Sequence, residues 1–393
     1  IGGFTFVAFK TYKMNDMKGK QGLVCMGLLL VLSSCHTGKQ ITASGLQRKD
    51  FQTEVNGQHT DLFTLSNKQG MEVCITNYGA RVVSILVPDR NGKREDVVCG
   101  FSTITEYMEQ RQNFGSTVGR YIGRILNARF TLDGVEYKLV PNNGKSGHIS
   151  HGGNPGFADR IWKVEQADTH RVRLSYLSPD GENGFPGNLK VTLVYSLGED
   201  DNALDLTYEA TTDAPTVLNL SHHSFFNISG NFTKSVEDQQ LWVDADRFTP
   251  YDDKKCVTGE YLPVAGTPLD FRMPHTIGEC IDADHPQLKV VNGYDHTWEL
   301  NTKGDDTRPA AWVYDPASGR KMEIFTTEPG MQIYTGNGLK GKMTGKGGIA
   351  YPFRSAVCFE TMHFQDSPNQ PGFPSTVLRP GEVFRSHTVY KFE

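Results

Sequence analysis

Side chains that can transfer protons or bind hydroxyl groups lie in five short polar segments of this 393-residue chain. Histidine titrates near neutral pH and carboxylates can act as bases, so such segments are candidates for general acid–base chemistry. The segments are 118–125 with Arg120 and Arg124, 148–157 with His148 and His151, 219–227 with His222 and His223, 293–298 with Asp295 and His296, and 358–363 with Glu360 and His363.

Glu360 directly follows the apolar run 356–359. A carboxylate at the end of a buried strand loses hydration, which raises its pKa towards the value of a useful base. Taken alone, each residue in these segments fits a structural role better than a functional one. Residue types and spacing therefore predict only a β protein in which a set of His, Glu, Asp and Arg side chains could converge.

Metal binding is not favoured by the pattern. The pair His148 and His151, or the doublet at 222 and 223, could bind zinc, but neither has the spacing of a closed zinc site. The seven cysteines are scattered without a CxxC pair, which argues against a thiolate site and a disulfide framework. We therefore predict no metal, and cysteines that are buried as small hydrophobic residues.

Alternating polar and apolar residues predict antiparallel strands over most of the chain after residue 50. Asp133-Gly134 predicts a two-residue turn in a hairpin over 130–139, and only 103–110 has a helical pattern. No glycine-rich nucleotide-binding loop is present, so no nucleotide cofactor is expected. We predict one all-β domain over residues 51–393, made of two packed antiparallel sheets. Strands are expected at 72–76, 81–87, 171–176, 190–195, 204–208, 240–243, 321–326, 332–335, 356–360 and 386–392.

Residues 17–35 have the layout of a bacterial lipoprotein signal peptide, and residues 1–16 are interpreted as upstream translated sequence. After Met17 come two lysines, an apolar run over 23–32 that is too short to span a membrane, and then Ser-Ser-Cys35. We expect a lipid on Cys35, a flexible tether over 36–50 and attachment to the cell envelope. The residue after the lipidated cysteine is His36 and not aspartate, which in lipoproteins favours the outer membrane over retention in the inner membrane. The net charge of −5 excludes a nucleic-acid partner and favours a small neutral ligand.

The order of the polar segments is similar to that of the aldose 1-epimerase (galactose mutarotase) family. Each motif alone is weak, but the series extends over residues 52–393 and is specific as a set. The matching motifs are NYGAR (77–81), GRYIGRI (119–125), HGG (151–153), DGENGFPG (180–187), NLSHHSFFN (219–227), GYDH (293–296), PGMQIYTGN (329–337), FET (359–361), NQP (369–371) and RPG (379–381).

The resemblance implies a β-supersandwich with an open sugar cleft, no cofactor, and interconversion of the α and β anomers of a free hexose. It places His223 at the general acid and Glu360 at the general base. The implied sugar-binding residues are Arg124, His151, Asp295 and Gln332. Asp295 beside a cationic residue 223 would favour the imidazolium.

The match to the family pattern is ambiguous at the histidine doublet and departs from it at position 123. Because neighbouring residues of a strand face opposite sides, only one of His222 and His223 can point into the cleft, and the family pattern over 224–227 selects His223. Gly123 stands where many members have asparagine, which removes an amide from the sugar contacts. Trp298 could stack on a sugar or pack in the core.

Two other functions remain open. A glycoside hydrolase or lyase would need two catalytic carboxylates, for which Glu360 and Asp295 are candidates. A non-catalytic sugar-binding lipoprotein would need no proton donor and acceptor at the reacting atoms.

Overall fold

Antiparallel strands form most of the regular secondary structure, as the alternating pattern predicts. The computed structural model describes residues 40–393, so the predicted signal peptide and Cys35 lie outside the described residues. The strands are β1 Glu54–Val55, β2 Gln58–His59, β3 Leu62–Ser66, β4 Glu72–Thr76, β5 Arg81–Pro88, β6 Arg94–Asp96, β7 Ser116–Val118, β8 Arg124–Ile125, β9 Arg129–Leu132, β10 Val135–Lys138, β11 Ile149–Ser150, β12 Lys163–Ala167, β13 Arg171–Ser178, β14 Leu189–Leu197, β15 Ala203–Thr212, β16 Thr216–Val217, β17 Ser221–His223, β18 Phe225–Phe226, β19 Gln240–Val243, β20 Arg247–Thr249, β21 Leu262–Pro263, β22 His275–Thr276, β23 Asp295–Glu299, β24 Ala311–Tyr314, β25 Lys321–Thr326, β26 Gly330–Tyr334, β27 Val357–Met362, β28 Val377–Leu378 and β29 Phe384–Phe392.

Three sheets carry the architecture. A nine-stranded sheet has the order β12-β13-β14-β15-β29-β25-β24-β19-β22, a six-stranded sheet the order β18-β27-β26-β23-β20-β21, and a four-stranded sheet the order β3-β4-β5-β6. The C-terminal strand β29 is internal, because it pairs with β15 on one side and β25 on the other. This arrangement confirms the predicted all-β class.

One hydrophobic core joins the sheets. Leu206 and Ile324 of the nine-stranded sheet, Ile333 and Phe359 of the six-stranded sheet and Val82 of the four-stranded sheet belong to the same fully buried cluster. Full burial of one such side chain contributes about 1.5–3 kcal/mol. The alternation that predicted the strands thus also predicts which side of each strand faces this core.

Two α-helices, α1 Ile104–Gln110 and α2 Pro286–Val291, lie among the described residues. The helix predicted over 103–110 is confirmed. The Thr103 hydroxyl caps α1 by accepting a hydrogen bond from the Glu106 amide, and the Glu106 carboxylate accepts one from the Thr103 amide. The sequence analysis missed α2, whose six residues begin with Pro286 at the first turn and are too few for a visible period. No helix within residues 40–393 is long and apolar enough to cross a membrane.

The predicted hairpin is also confirmed. Strands β9 and β10 pair around Asp133 and Gly134, which have φ angles of 52° and 81° as a two-residue turn of this kind requires.

Residues 41–50, assigned to the tether by the sequence analysis, pack against the domain. Leu46 is buried, Arg48 forms an ion pair with Asp61, and the Ala43 amide donates to the Glu72 carboxylate. The packed domain therefore includes residues 41–50. A run of mixed polar residues carries no periodic signal, which is why the sequence alone placed the boundary at residue 51.

Candidate active site

The six-stranded sheet places three polar side chains in one row. In the β23–β26–β27 register, Thr297 lies opposite Gln332, and Gln332 lies opposite Glu360. Their neighbours Ile333 and Phe359 face the core. Because side chains alternate along a strand, a core on one face leaves this polar row on the other, where the cleft opens.

A second row lies two residues along the same strands. Asp295 is opposite Tyr334, and Tyr334 is opposite Cys358. Asp295 and Tyr334 line the cleft together with Glu360, since positions two apart on a strand share a face. The motifs GYDH, PGMQIYTGN and FET therefore meet because adjacent strands carry them in register.

The histidine doublet divides as strand alternation predicts. Strand β17 pairs with β7, and His223 lines the cleft. His222 faces the opposite side, where its Nε2 lies 2.6 Å from the Ser224 hydroxyl and its ring packs against the rings of Tyr195 and Tyr390. Burial lowers the pKa of His222 to about 3, so it is a neutral structural residue.

The cleft has a volume of about 250 Å³ and a mostly polar lining, which suits a ligand smaller than a typical drug molecule. Every binding and catalytic position that the resemblance implied within the described residues contributes to this one cavity. Its lining residues are Gln112, Asn113, Gly123, Arg124, Ser150, His151, His223, Phe225, Asp295, Gln332, Tyr334, Glu360, Met362 and Gln365.

His223 and Glu360 lie in direct contact. The distance from His223 Nε2 to Glu360 Oε1 is 3.4 Å, longer than an ordinary hydrogen bond, and both side chains are almost fully buried. Burial, with a contribution from the charge of Asp295, raises the pKa of Glu360 well above its usual value. Burial, with a contribution from His151, lowers the pKa of His223. The pair therefore holds one proton between two nearly neutral groups.

Asp295 was expected to favour a cationic His223, and in the structure its charge acts on Glu360. Gln332 Nε2 donates to Asp295 Oδ1 over 2.7 Å, and the charge of Asp295 acts on Glu360. Strand register is the reason: Asp295 lies on the six-stranded sheet with Glu360, whereas His223 lies on the separate β7–β17 ladder. Asp295 therefore makes Glu360 a stronger base.

His151 reaches the cleft from a tight turn. It has a φ of 52°, and its amide donates to the Gly123 carbonyl over 2.9 Å. The following Gly152 is required, since a Cβ there would lie 2.0 Å from the Gly119 carbonyl oxygen. The His151 ring packs edge-on against His223 with centroids 5.5 Å apart, and burial lowers its pKa to about 4. His151 therefore acts as a neutral hydrogen-bonding group.

The two arginines of the GRYIGRI motif have different roles. Arg120 is buried and donates to the backbone carbonyls of Pro186 and Gly187, so it holds a loop in place. Arg124 lines the cleft, where its charge acts on Asp295. Spacing alone could not separate them.

The sequence analysis missed two buried polar residues: Gln365, which lines the cleft, and Tyr251, which contacts the lining residues. Tyr251 accepts a hydrogen bond from Gln365 over 2.7 Å and a longer one from Gln332. Gln365 lies two residues beyond the polar segment 358–363, close enough to Glu360 in sequence to have been a candidate. Trp298, left open between sugar stacking and the core, is fully buried and donates to the Leu269 carbonyl.

One group within residues 40–393 has metal-ligand atoms close together: those of His223, Cys358 and Glu360 lie within 4.8 Å of one another. Two of the three are the acid–base pair itself, and burial raises the pKa of the Cys358 thiol well above its usual value. The histidine pairs weighed from the sequence do not form a site either. His148 contacts Cys256 at 3.2 Å, and the doublet faces opposite sides.

A β-sandwich with a small polar cleft and a buried carboxylate–imidazole pair defines a class of acid–base enzymes that act on hydroxylated small molecules. The family model "Aldose 1-epimerase" matches residues 61–391. Galactose mutarotase of Bos taurus is 40% identical over 84% of this chain and 93% of its own length. Aldose 1-epimerase of Escherichia coli K12 is 36% identical over 86% of this chain and 96% of its own.

Solved structures agree. An aldose epimerase homologue from C. elegans superposes with a TM-score of 0.78 at 31% identity, covering 85% of this chain and 99% of its own. Galactose 1-epimerase from Lactobacillus acidophilus gives a TM-score of 0.75 at 28% identity, covering 87% and 96%. This chain belongs to the aldose 1-epimerase family, and its enzyme class is that of the isomerases.

Proposed function

We propose that this chain is a mutarotase that interconverts the α and β anomers of a free hexose such as galactose or glucose. The observation that carries the proposal is the contact between His223 Nε2 and Glu360 Oε1 inside the polar cleft. An anomeric hydroxyl and a ring oxygen are bonded to the same carbon, so the two groups that serve them must also be neighbours.

Ring opening needs a proton removed from the anomeric hydroxyl and one delivered to the ring oxygen. With the shared proton on His223, Glu360 is the base and His223 the acid. Ring closure after rotation about C1–C2 reverses both transfers, so the two groups exchange roles within each turnover. This exchange is easier in a site that does not strongly stabilise the charged form of either group. Each proton transfer contributes about 10²–10⁴-fold to the rate.

The remaining residues bind and orient the sugar. Arg124 offers guanidinium donors to hydroxyl groups, and Gln332 and Asp295 face the same space. His151 supplies a ring nitrogen without charge, since its pKa is lowered to about 4. No step requires a metal ion or a nucleotide cofactor.

Polarimetry on freshly dissolved α-glucose and α-galactose tests the proposal. Relaxation to the anomeric equilibrium should be faster than in buffer, in proportion to the enzyme added. Buffer-rate relaxation with cleavage of a glycoside would indicate a hydrolase or lyase. Buffer-rate relaxation with saturable sugar binding would indicate a non-catalytic binding protein. Either result contradicts the mutarotase proposal.

We also propose that the chain is exported and held in the bacterial cell envelope, with the outer membrane favoured, by a lipid on Cys35. The support is the sequence over residues 17–36. Expressed from Met17 in a bacterial host, the protein should incorporate labelled palmitate and partition into detergent, and Cys35→Ser should abolish both. Cys25→Ser, a matched change within the apolar run, should abolish neither. Equal labelling of the Cys35→Ser variant would contradict the anchor.

A further inference from the structure

The side chain of Gln365 occupies the space in the cleft that a side chain at position 123 would need. A Cβ on Gly123 would lie 2.6 Å from Gln365 Cγ, and both residues line the cavity. Gly123 has a φ of 75°, a backbone conformation that asparagine also tolerates. The obstacle to a side chain at position 123 is therefore the side chain of Gln365.

The Gln365 carboxamide has a defined orientation. Its Oε1 accepts from the Arg124 amide at 3.3 Å and from Arg124 Nη1 at 3.5 Å. Arginine has only donors, so the oxygen must be the atom that faces it. Its Nε2 donates to the Tyr251 hydroxyl and, over 3.3 Å, to Gln332 Oε1. Both donors and both acceptor positions of the amide are in use, which leaves none for a sugar hydroxyl.

Gln332 is oriented by the same logic. Its Nε2 donates to the Asp295 carboxylate, which can only accept, and therefore its Oε1 faces Gln365. The two carboxamides are thus aligned head to tail between the cation Arg124 and the anion Asp295. Such chains strengthen cooperatively in a buried setting.

The backbone of Gln365 is also held in place. The Asp366 amide donates to the Arg124 carbonyl over 2.8 Å, and the Tyr121 hydroxyl donates to the Phe364 carbonyl over 3.1 Å. The segment that carries Gln365 is therefore attached directly to the loop that carries Gly123 and Arg124.

We propose that Gln365 is a positioning residue that occupies the space of the asparagine side chain absent at position 123. It links Arg124 to Gln332 and Asp295 and holds these cleft groups in the arrangement that binds the sugar. The pair Gly123 and Gln365 is then a reciprocal exchange, in which the amide has moved from one wall of the cleft to the other. The inference rests on the proposed mutarotase function only where its test measures KM and kcat.

The test is a double-mutant cycle with Gly123→Asn, Gln365→Ala and the combined variant. Gln365→Ala should raise KM for the sugar roughly 10-fold, the effect of losing one or two hydrogen bonds, with a smaller change in kcat. Gly123→Asn alone should lower the melting temperature because of the overlap. The combined variant should recover both the melting temperature and most of the KM loss.

Gln370→Ala is the matched control, since the Gln370 amide bonds Asp366 outside the cleft; its KM should match wild type. An unchanged KM in Gln365→Ala, or an equal effect of Gly123→Asn in both backgrounds, would overturn the inference. The melting temperatures can be measured without enzyme activity. If the wild-type protein did not accelerate mutarotation, the proposed function would be contradicted, but the melting temperatures would still test the exchange between positions 123 and 365. The combined variant also covers the case in which Gly123→Asn alone does not fold.

Discussion

Two histidine–glutamate pairs with a buried glutamate lie within residues 40–393, and they differ in how closely the side chains meet. His223 and Glu360 approach to 3.4 Å in the cleft, whereas His363 Nδ1 and Glu328 Oε2 are hydrogen-bonded at 2.7 Å. Burial lowers the pKa of His363, but the hydrogen bond and charge of Glu328 outweigh it and raise the pKa overall. In the cleft pair burial prevails, and neither group is held in its charged form.

The comparison shows how similar residues serve stability in one place and proton transfer in another. A short, well-formed hydrogen bond stabilises a proton on one partner and makes it costly to move. A longer contact between desolvated groups leaves the proton available and leaves room for substrate oxygens. The negative charge of Asp295 beside Glu360 opposes a fixed ion pair further, and a proton on His223 would be disfavoured by the neighbouring His151.

The largest expected effect separates the two glutamates. Glu360→Gln should lower kcat by about 10²–10⁴-fold, because the amide cannot accept a proton, while the fold is retained since a buried neutral acid is replaced by a neutral amide. Glu328→Gln should leave kcat close to wild type. Polarimetry on α-galactose measures both, with circular dichroism as the folding check. Near-normal kcat in Glu360→Gln would remove this residue from the mechanism.

A second comparison uses the neighbours on β17. His223→Asn should cost about 10²–10⁴-fold in kcat, since it removes the acid, whereas His222→Asn should chiefly lower stability. Initial rates are measured by polarimetry at a temperature where both variants are folded. The reverse order of activity loss would show that the assignment of the doublet is off by one residue.

The pair His363 and Glu328 should contribute to the free energy of unfolding. Glu328→Gln should lower the free energy of unfolding by about 1.5–3 kcal/mol, the contribution of a hydrogen bond to a charged group. Because the folded pKa of His363 is raised, this contribution is present below the unfolded value of about 6.5 and is lost as pH rises through the folded pKa. Urea titrations at several pH values measure it; a pH-independent difference between wild type and variant would contradict the ion pair.

The smallest expected effect is a shift in pH dependence. The charge of Asp295 raises the pKa of Glu360, so Asp295→Asn should lower that pKa and move the acidic limb of the kcat/KM profile to lower pH. Asp213→Asn, a change on the exposed surface, serves as the control and should leave the limb in place. A limb that moves to higher pH in Asp295→Asn would contradict the assigned coupling.

Most of the strands of five or more residues and the single patterned helix could be predicted, because alternation and capping are local properties of the chain. Strand β4 and strand β19 match the predicted bounds, and α1 begins one residue after the predicted start. The strand Asp295–Glu299 was missed, since its residues are polar and aromatic without a clear period. Its position in the sheet depends on pairing with β20 and β26, which lie about fifty residues before it and some thirty after it in the sequence.

The candidate site was predictable as a list of residues and unpredictable as an arrangement. The order of motifs selected the residues that line the cleft, and strand alternation separated His222 from His223. Which group Asp295 acts on and what fills the space beside Gly123 depended on contacts between segments far apart in sequence. Burial and distance set the pKa of Glu360 and His223, and only the folded chain has either.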